Sequence, residues 1–570
     1  MTNSSEMTVA ELFLKALYDQ GIEYVFANAG TDFAPIIEAL VTASQKGNPT
    51  PTFLTVPHEN VAISMAQGYY RVAGKSAGVM VHVTVGTANA ICGLMNSSRD
   101  NVPTLLIAGR TPLTETGNMG SRNIGIHWGQ ENFDQGGMVR EYVKWDYELR
   151  TDQPVDAIVG RALDIANSEP RGPVYLTLPR EVLGGPAKSR SYSRRSRPLG
   201  SAPCVPDLET LEKAADLLLA AERPLIVAGK VGSRPDAFEV LGKFSSDFGL
   251  PVTQVEIPAL ITSHPMNWGF TAGQHLPKAD LVLVIESSVP WIPRNVNPSK
   301  SSKIIHLSPD PFYSRYPYRG FEMDLAVAGE PVETLRMLQE IMASRAKGKK
   351  GTITTRRRNI VAIHKELTAK RRKTLDAAHK ITPILPAWVA ACINEIKLDN
   401  TILINELGTN VDHLAHTSPN CYVSGGQAGG LGYGLGSALG AKLASRKRDV
   451  ILMVGDGSYI FGNPTAAHFV ARSDNLATLT VVMNNHMWFA VQRSTQTMYP
   501  DGLAVKANRM PLTELAPSPD FEKTIEACGG YGERIEDPGE LKDALHRCFE
   551  KVQGGQSALL NVITQPGGRD

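Results

Sequence analysis

Val450-Ile451-Leu452-Met453-Val454-Gly455-Asp456-Gly457-Ser458 is an apolar run that ends in a glycine-bracketed aspartate. Consecutive apolar residues closed by a Gly turn predict a strand buried on both faces, as in a parallel sheet covered by helices. The 26 residues 458–483 lead through a second apolar run, 478–483, to Asn484-Asn485. Two strand ends thus bring Asp456 and Asn485 to the carboxyl edge of one sheet, where doubly wound folds bind ligands. Glycines beside Asp456 let main-chain N–H groups approach a phosphate, and a carboxylate with an amide oxygen is a hard donor pair suited to Mg²⁺. Magnesium takes six oxygens and accepts few from protein, so a diphosphate is the expected source of others.

The same theme recurs along the chain. Apolar runs at 24–27, 77–83, 104–108 and 173–178 form one block, those at 225–228, 281–285 and 303–307 a second, and those at 401–404, 450–454 and 478–483 a third. Amphipathic stretches between them predict crossover helices, and so an α/β chain of three doubly wound parallel-sheet domains in series. Expected boundaries are 1–186, 204–343 and 380–565. The polar residues 187–203 read as a linker. The basic runs at 347–350, 356–358 and 370–373 read as a solvated linker or helix face rather than a nucleic-acid site.

Composition agrees with an enzyme-sized globular chain. Its 570 residues exceed one ordinary domain several times over. Lys+Arg 58 against Asp+Glu 57 leaves a net charge of +1, which argues against a polyanion binder, so any anion must be met by local geometry. The N-terminus has no basic region, Glu11 and Lys15 interrupt its apolar residues, and no stretch has the length of a membrane span. A cytoplasmic protein with no membrane partner is expected. The six cysteines are scattered without metal-ligand spacing and read as buried free thiols.

The GDG at 455–457, followed by about two dozen residues and Asn484-Asn485, resembles the thiamine diphosphate signature of the superfamily of 2-oxo acid decarboxylases and acetohydroxyacid synthases. That resemblance implies that Asp456 and Asn485 bind Mg²⁺ through their side chains and Met487 through its carbonyl, and that Gly455, Gly457 and Ser458 line the diphosphate. Three further segments occur in the family's order. Residues 55–71 look like the family's HE segment opening a helix, with Glu59 as the catalytic glutamate. A carboxyl beside the aminopyrimidine shares its proton and drives the cofactor toward its imino tautomer. In isolation a glutamate at a helix start would compensate the helix dipole. Residues 429–440 resemble the stretch whose bulky apolar residue, here Leu431 after Gly429 and Gly430, holds the cofactor bent. Residues 405–410 follow a strand and should offer Gly408 and Thr409 to the diphosphate. The resemblance further implies pyrimidine-binding, central and diphosphate-binding domains in that order. It also implies a cofactor held between the first domain of one subunit and the third of another, hence a homodimer at least and commonly a homotetramer.

Two branches of the superfamily compete. Gly30-Thr31 stands where the benzoylformate decarboxylase branch has Gly-Ser, and His82 with 86–90 resembles that branch's histidine segment, which implies a proton-relaying His82, a substrate-orienting Thr31, and Gly30 and Asn89 at the cofactor. The second histidine of that branch should fall near Ile292 or Pro293, and none is there. Gln130-Glu131 instead resembles the acetohydroxyacid synthase branch. The flavin-holding run of that branch is missing, so FAD is not expected. Ala490, Val491 and Ser494 should join Thr31, His82 and Gln130 around the substrate, and their small size predicts room for more than pyruvate. The expected reaction is non-oxidative decarboxylation of a 2-oxo acid, with acyloin carboligation to an aldehyde or keto acceptor as a further outcome. An acetolactate synthase-like carboligase without FAD is one alternative, and a non-catalytic cofactor-binding regulator is the alternative from another class.

Overall fold

The computed structural model describes residues 7–188, 198–270 and 272–566; residues 189–197 of the expected linker lie outside them. Three sheets organise the chain. The first contains β1 (Tyr24–Ala27), β2 (Thr52–Thr55), β3 (Gly78–Val81), β4 (Leu105–Arg110), β5 (Asp146–Glu148) and β6 (Val174–Pro179), ordered β2-β1-β3-β4-β6-β5. The second contains β7 (Pro224–Ala228), β8 (Val252–Gln254), β9 (Leu281–Ile285), β10 (Lys303–Ser308) and β11 (Leu325–Ala328), ordered β11-β10-β9-β7-β8. The third contains β12 (Ile402–Glu406), β13 (Tyr422–Val423), β14 (Val450–Gly455), β15 (Leu479–Asn484), β16 (Tyr531–Ile535) and β17 (Ala558–Ile563), ordered β13-β12-β14-β15-β17-β16. Every pairing within them is parallel.

In each sheet the first strand of the chain lies between the second and the third. The winding therefore reverses at β1/β3, β7/β9 and β12/β14. Loops leaving the carboxyl ends of such a pair diverge and open a crevice. The chain is the three-domain α/β fold expected of it.

One apolar core joins the first and third sheets. It is continuous from Val61, Ile63 and Met65 to Leu435, Ala438 and Leu439. The helices Glu59–Ala73 and Tyr433–Ala444 cross there at backbone contact. A Cβ on Gly68 would stand 2.0 Å from the Ser437 carbonyl oxygen, and one on Gly440 would stand 2.0 Å from that of Met65. Only glycine lets the two helices approach so closely.

The basic stretch is ordered. Lys350–Ala377 is a 28-residue helix that buries Ile353, Arg356 and Ile360 at helical spacing. Arg356 donates to the carbonyls of Leu218 (3.3 Å) and Ala221 (3.1 Å), and Arg371 pairs with Asp412 at 2.8 Å. The helix straps the middle domain to the third. All six cysteines are free, but only Cys392, Cys421 and Cys548 are buried; Cys204 is exposed and Cys92 and Cys528 are half-buried. The expectation of uniformly buried thiols is corrected to that extent.

Candidate active site

The first half of the site lies at the β1/β3 reversal. Glu59 opens the helix that follows β2, and His58 caps that helix by accepting the Asn60 N–H at its Nδ1, 3.1 Å away. Glu59 is buried, and each of its oxygens accepts from an amide: Asn28 Nδ2 reaches Oε1 and Asn89 Nδ2 reaches Oε2, both at 2.9 Å. The carboxylate is therefore held in one plane by two side chains from two elements. Asn28 closes β1 in a segment whose Gly30 and Thr31 sequence reasoning had noticed; Asn28 itself was missed.

His82 follows β3. Its Nδ1 lies 2.5 Å from Asp32 Oδ1, and its Nε2 lies 3.3 Å from Gln130 Nε2. Asp32 is buried and was also missed. With Nδ1–H given to Asp32, Nε2 is the ring nitrogen left to accept the Gln130 amide hydrogen or to exchange a proton. The Asp32 hydrogen bond raises the His82 pKa above its ordinary value, burial opposes it, and the charges of Asp32 and Glu59 add to the rise. Gly30 is required here, since a Cβ on it would fall 2.1 Å from His82 Nδ1. The next residue, Val83, takes φ 33°, a left-handed conformation that a β-branched side chain resists. Strain of that kind concentrates where a side chain must be aimed. Gln130 is fixed through its neighbour, because Glu131 pairs with Arg110 (2.6 Å) and Arg122 (2.5 Å). Thr31 is exposed on the same edge.

The second half lies where β12, β14 and β15 end side by side, at the β12/β14 reversal and the strand next to it. Gly455 is in register with Met483, so Asp456 and Asn485 emerge from adjacent strands. Asp456 Oδ1 accepts the Gly457 N–H at 2.8 Å, while Oδ2 is buried without a partner. Burial pushes the Asp456 pKa up, against the amides of Gly457, His486 and Met487. An orphaned buried carboxylate oxygen is costly unless a cation or donor meets it. Asn485 Oδ1 accepts the Met487 N–H at 3.1 Å, a turn that brings these two residues together. Among the described residues no cluster of three or more His, Cys, Asp or Glu side chains could hold a metal. One carboxylate, one amide oxygen and a carbonyl fit Mg²⁺ completed by diphosphate and water oxygens, and do not fit a metal held by protein alone.

Gly457 packs on Trp488, whose ring a Cβ there would meet at 2.3 Å. Ser458 is buried behind it. Gly408 and Thr409 follow β12 in the loop after it. Thr409, however, gives its N–H to Asn405 Oδ1 (3.2 Å) and its hydroxyl to the Pro386 carbonyl (3.1 Å), so its donors serve the loop itself. Gly429 takes φ 76° in the turn before Leu431. Ala490, Val491 and Ser494 lie on the helix Phe489–Met498, which buries no residue within the chain.

The reversal of the middle sheet differs. Across β7/β9, the Gly229 and Lys230 N–H groups donate to the carbonyls of Ile285 and Glu286, both at 2.9 Å. Arg234 pairs there with Glu286 (2.5 Å), Glu169 (2.9 Å) and Glu330 (3.1 Å). A cavity of about 930 Å³ adjoins this cluster, between the first and middle domains, and neither Glu59, His82 nor Asp456 lines it.

Comparison with known proteins matches all three domains of the chain. Residues 7–138 match the thiamine pyrophosphate enzyme N-terminal TPP binding domain, 211–338 the central domain and 407–562 the C-terminal TPP binding domain. The chain belongs to the thiamine pyrophosphate enzyme family. It is 25% identical over 580 residues to the acetolactate synthase large subunit of Buchnera aphidicola from Acyrthosiphon pisum, covering 97% of this chain and 94% of that one. It is 24% identical over 566 residues to that of Haemophilus influenzae, covering 95% and 92%. In structure it is similar to the thiamine diphosphate-dependent 4-hydroxybenzoylformate decarboxylase of Rhodococcus jostii, with TM-score 0.77, 21% identity and coverage of 98% and 99%. It is similar also to the benzoylformate decarboxylase of Polynucleobacter necessarius, with TM-score 0.78, 18% identity and coverage of 98% and 99%. Among the described residues no helix is long and apolar enough to cross a membrane.

Proposed function

We propose that this thiamine diphosphate-dependent enzyme uses Mg²⁺ to decarboxylate a 2-oxo acid without oxidation. The observation that carries the reading is the Asp32–His82–Gln130 array standing on the same sheet edge as the amide-held Glu59. Thiamine diphosphate, when bound, supplies the nucleophilic carbon and the electron sink that make loss of CO₂ feasible. Asp456, Asn485 and the Met487 carbonyl would hold the metal, and the 455–458 turn would line the diphosphate. Glu59 holds the proton shared with the aminopyrimidine, its plane set by Asn28 and Asn89. His82 takes up and releases a proton at Nε2, to which the Gln130 amide donates while that nitrogen is unprotonated, and Thr31 orients the substrate carboxylate beside it. A protonated His82 within reach of a 2-oxo acid favours protonation of the decarboxylated product and hence release of an aldehyde.

Transfer of that product to a second carbonyl, as in an acetolactate synthase-like carboligase, is the second reading. The Gln130-Glu131 pair and the acetolactate synthase relatives favour it. FAD is not included. At the β7/β9 reversal Arg234 is already spent on three carboxylates and the Lys230 ammonium on the Arg99 carbonyl and the Asn101 side chain, and a dinucleotide diphosphate would face Glu286. A cofactor site shared between two subunits is part of the proposal, because Thr31, Leu407, Ala490, Val491 and Ser494 face solvent in one chain. The domain divisions at 1–186, 204–343 and 380–565 belong to it as well. Supplying a panel of 2-oxo acids with thiamine diphosphate and Mg²⁺, with and without an acceptor aldehyde, tests it. Stoichiometric aldehyde without acceptor is expected; CO₂ release with no aldehyde would leave the carboligase reading in its place.

A further inference from the structure

Glu406 is a buried carboxylate that the mechanism above does not use. It closes β12, next to Asn405, and the two side chains point to opposite faces of the sheet as strand geometry dictates. Asn405 folds the loop after it, accepting the Thr409 N–H at 3.2 Å and donating to the Thr409 carbonyl at 2.9 Å. Glu406 reaches the other way. Its Oε1 accepts the Gly432 N–H and its Oε2 the Gly434 N–H, both at 2.6 Å. These two peptides flank the turn that follows Leu431. Charge-assisted bonds of this length are the strong class of hydrogen bond.

The remaining freedom of that turn is removed from several sides. Gly432 takes φ 83°, and a Cβ on it would lie 2.6 Å from Gly462 Cα, at the end of the short helix that begins with Asp456. Tyr433 donates its hydroxyl to the Asn405 carbonyl at 2.8 Å. Across the turn, Asn96 of the first domain binds Gly430 at both its N–H (3.1 Å) and its carbonyl (2.7 Å). Ser458 on the GDG turn also hydrogen-bonds the Glu406 carboxyl, and burial has pushed that carboxyl's pKa up to about 7 despite these donors. A carboxylate kept in such a place at this cost has a reason to be there.

We infer that Glu406 is a positioning residue for the cofactor: by binding the amides of Gly432 and Gly434 and the side chain of Ser458, it fixes Leu431 relative to the 455–458 turn. The inference rests on the thiamine diphosphate reading of the site. Glutamine at this position has one acceptor and one donor, so one of the two amides would face an N–H. Aspartate is one methylene too short to reach both.

The test is the dissociation constant of thiamine diphosphate with saturating Mg²⁺, read from tryptophan fluorescence, for which Trp488 on Gly457 is a built-in reporter. Thermal melting of the cofactor-free protein is measured alongside. Glu406→Gln should weaken binding at least ~10-fold, with Glu406→Asp intermediate, while the cofactor-free melting temperature stays near that of the wild type. Binding within twofold of wild type in both variants would overturn the inference, as would cofactor-free protein that no longer folds in both, since Glu406 would then serve folding alone. If the wild type itself gave no saturable response, the thiamine diphosphate reading would fall instead.

Discussion

Asp32 shows how one side chain sets the behaviour of another. It binds His82 Nδ1 and so chooses the tautomer, and it raises the imidazole pKa above its ordinary value. The Asp32–imidazolium pair therefore adds stability that is full below the unfolded histidine's pKa and is lost as pH rises through the higher folded value. In Asp32→Asn the NMR titration of His82 should move to lower pH, and aldehyde release should fall more steeply above neutrality than in the wild type. An unmoved His82 titration would show that Asp32 does not act on it. For Glu59→Gln, with Asn28 and Asn89 still present, turnover should drop at least ~100-fold, the scale of lost acid/base catalysis. Asp456→Asn should abolish the Mg²⁺-dependent part of the rise in melting temperature that thiamine diphosphate gives, a rise expected from ligand linkage.

At the scale of the element, long apolar strands were legible and short edges were not. β14 and β15 stand where the runs 450–454 and 478–483 place them. β2, with its largely exposed pattern, and the two-residue β13 have no run to read. β17 is buried yet escaped notice because Asn561 interrupts it; that amide pairs with Asn484 (3.2 Å) and Glu522 (2.8 Å), partners invisible in one dimension. The glycines of 429–440 were read together as a cofactor stretch, but they divide by duty. Gly432 shapes the turn, Gly434 makes room for Glu406, and Gly436 and Gly440 admit the neighbouring helix. A sequence cannot separate glycines that let a ligand approach from those that let a backbone approach. Gly440→Ala should cost about 1–3 kcal/mol in urea unfolding, because its methyl would run into the Met65 and Tyr69 backbone of the neighbouring helix. Likewise Glu59, His82 and Asp456 could be named from motifs, whereas Asn28, Asp32 and Glu406 are ordinary polar residues until folding brings them to their partners.

For the whole molecule, the net charge of +1 leaves anion binding to strand ends. Two of the three winding reversals carry proposed chemistry, and the third carries Arg234 among three carboxylates. Removing a cation from such a buried cluster leaves uncompensated charge, so Arg234→Gln should destabilise the chain by about 3–5 kcal/mol, measurable by denaturant unfolding. The glycine crossing of helices 59–73 and 433–444 has a different reach. Glu59 begins one of these helices and Leu431 lies just before Gly432, the N-cap of the other. In the proposed dimer, those two residues of a single chain work on different cofactor molecules. Two backbones in direct contact cannot slide without clashing, so in that dimer the crossing would tie the two catalytic centres rigidly through each chain.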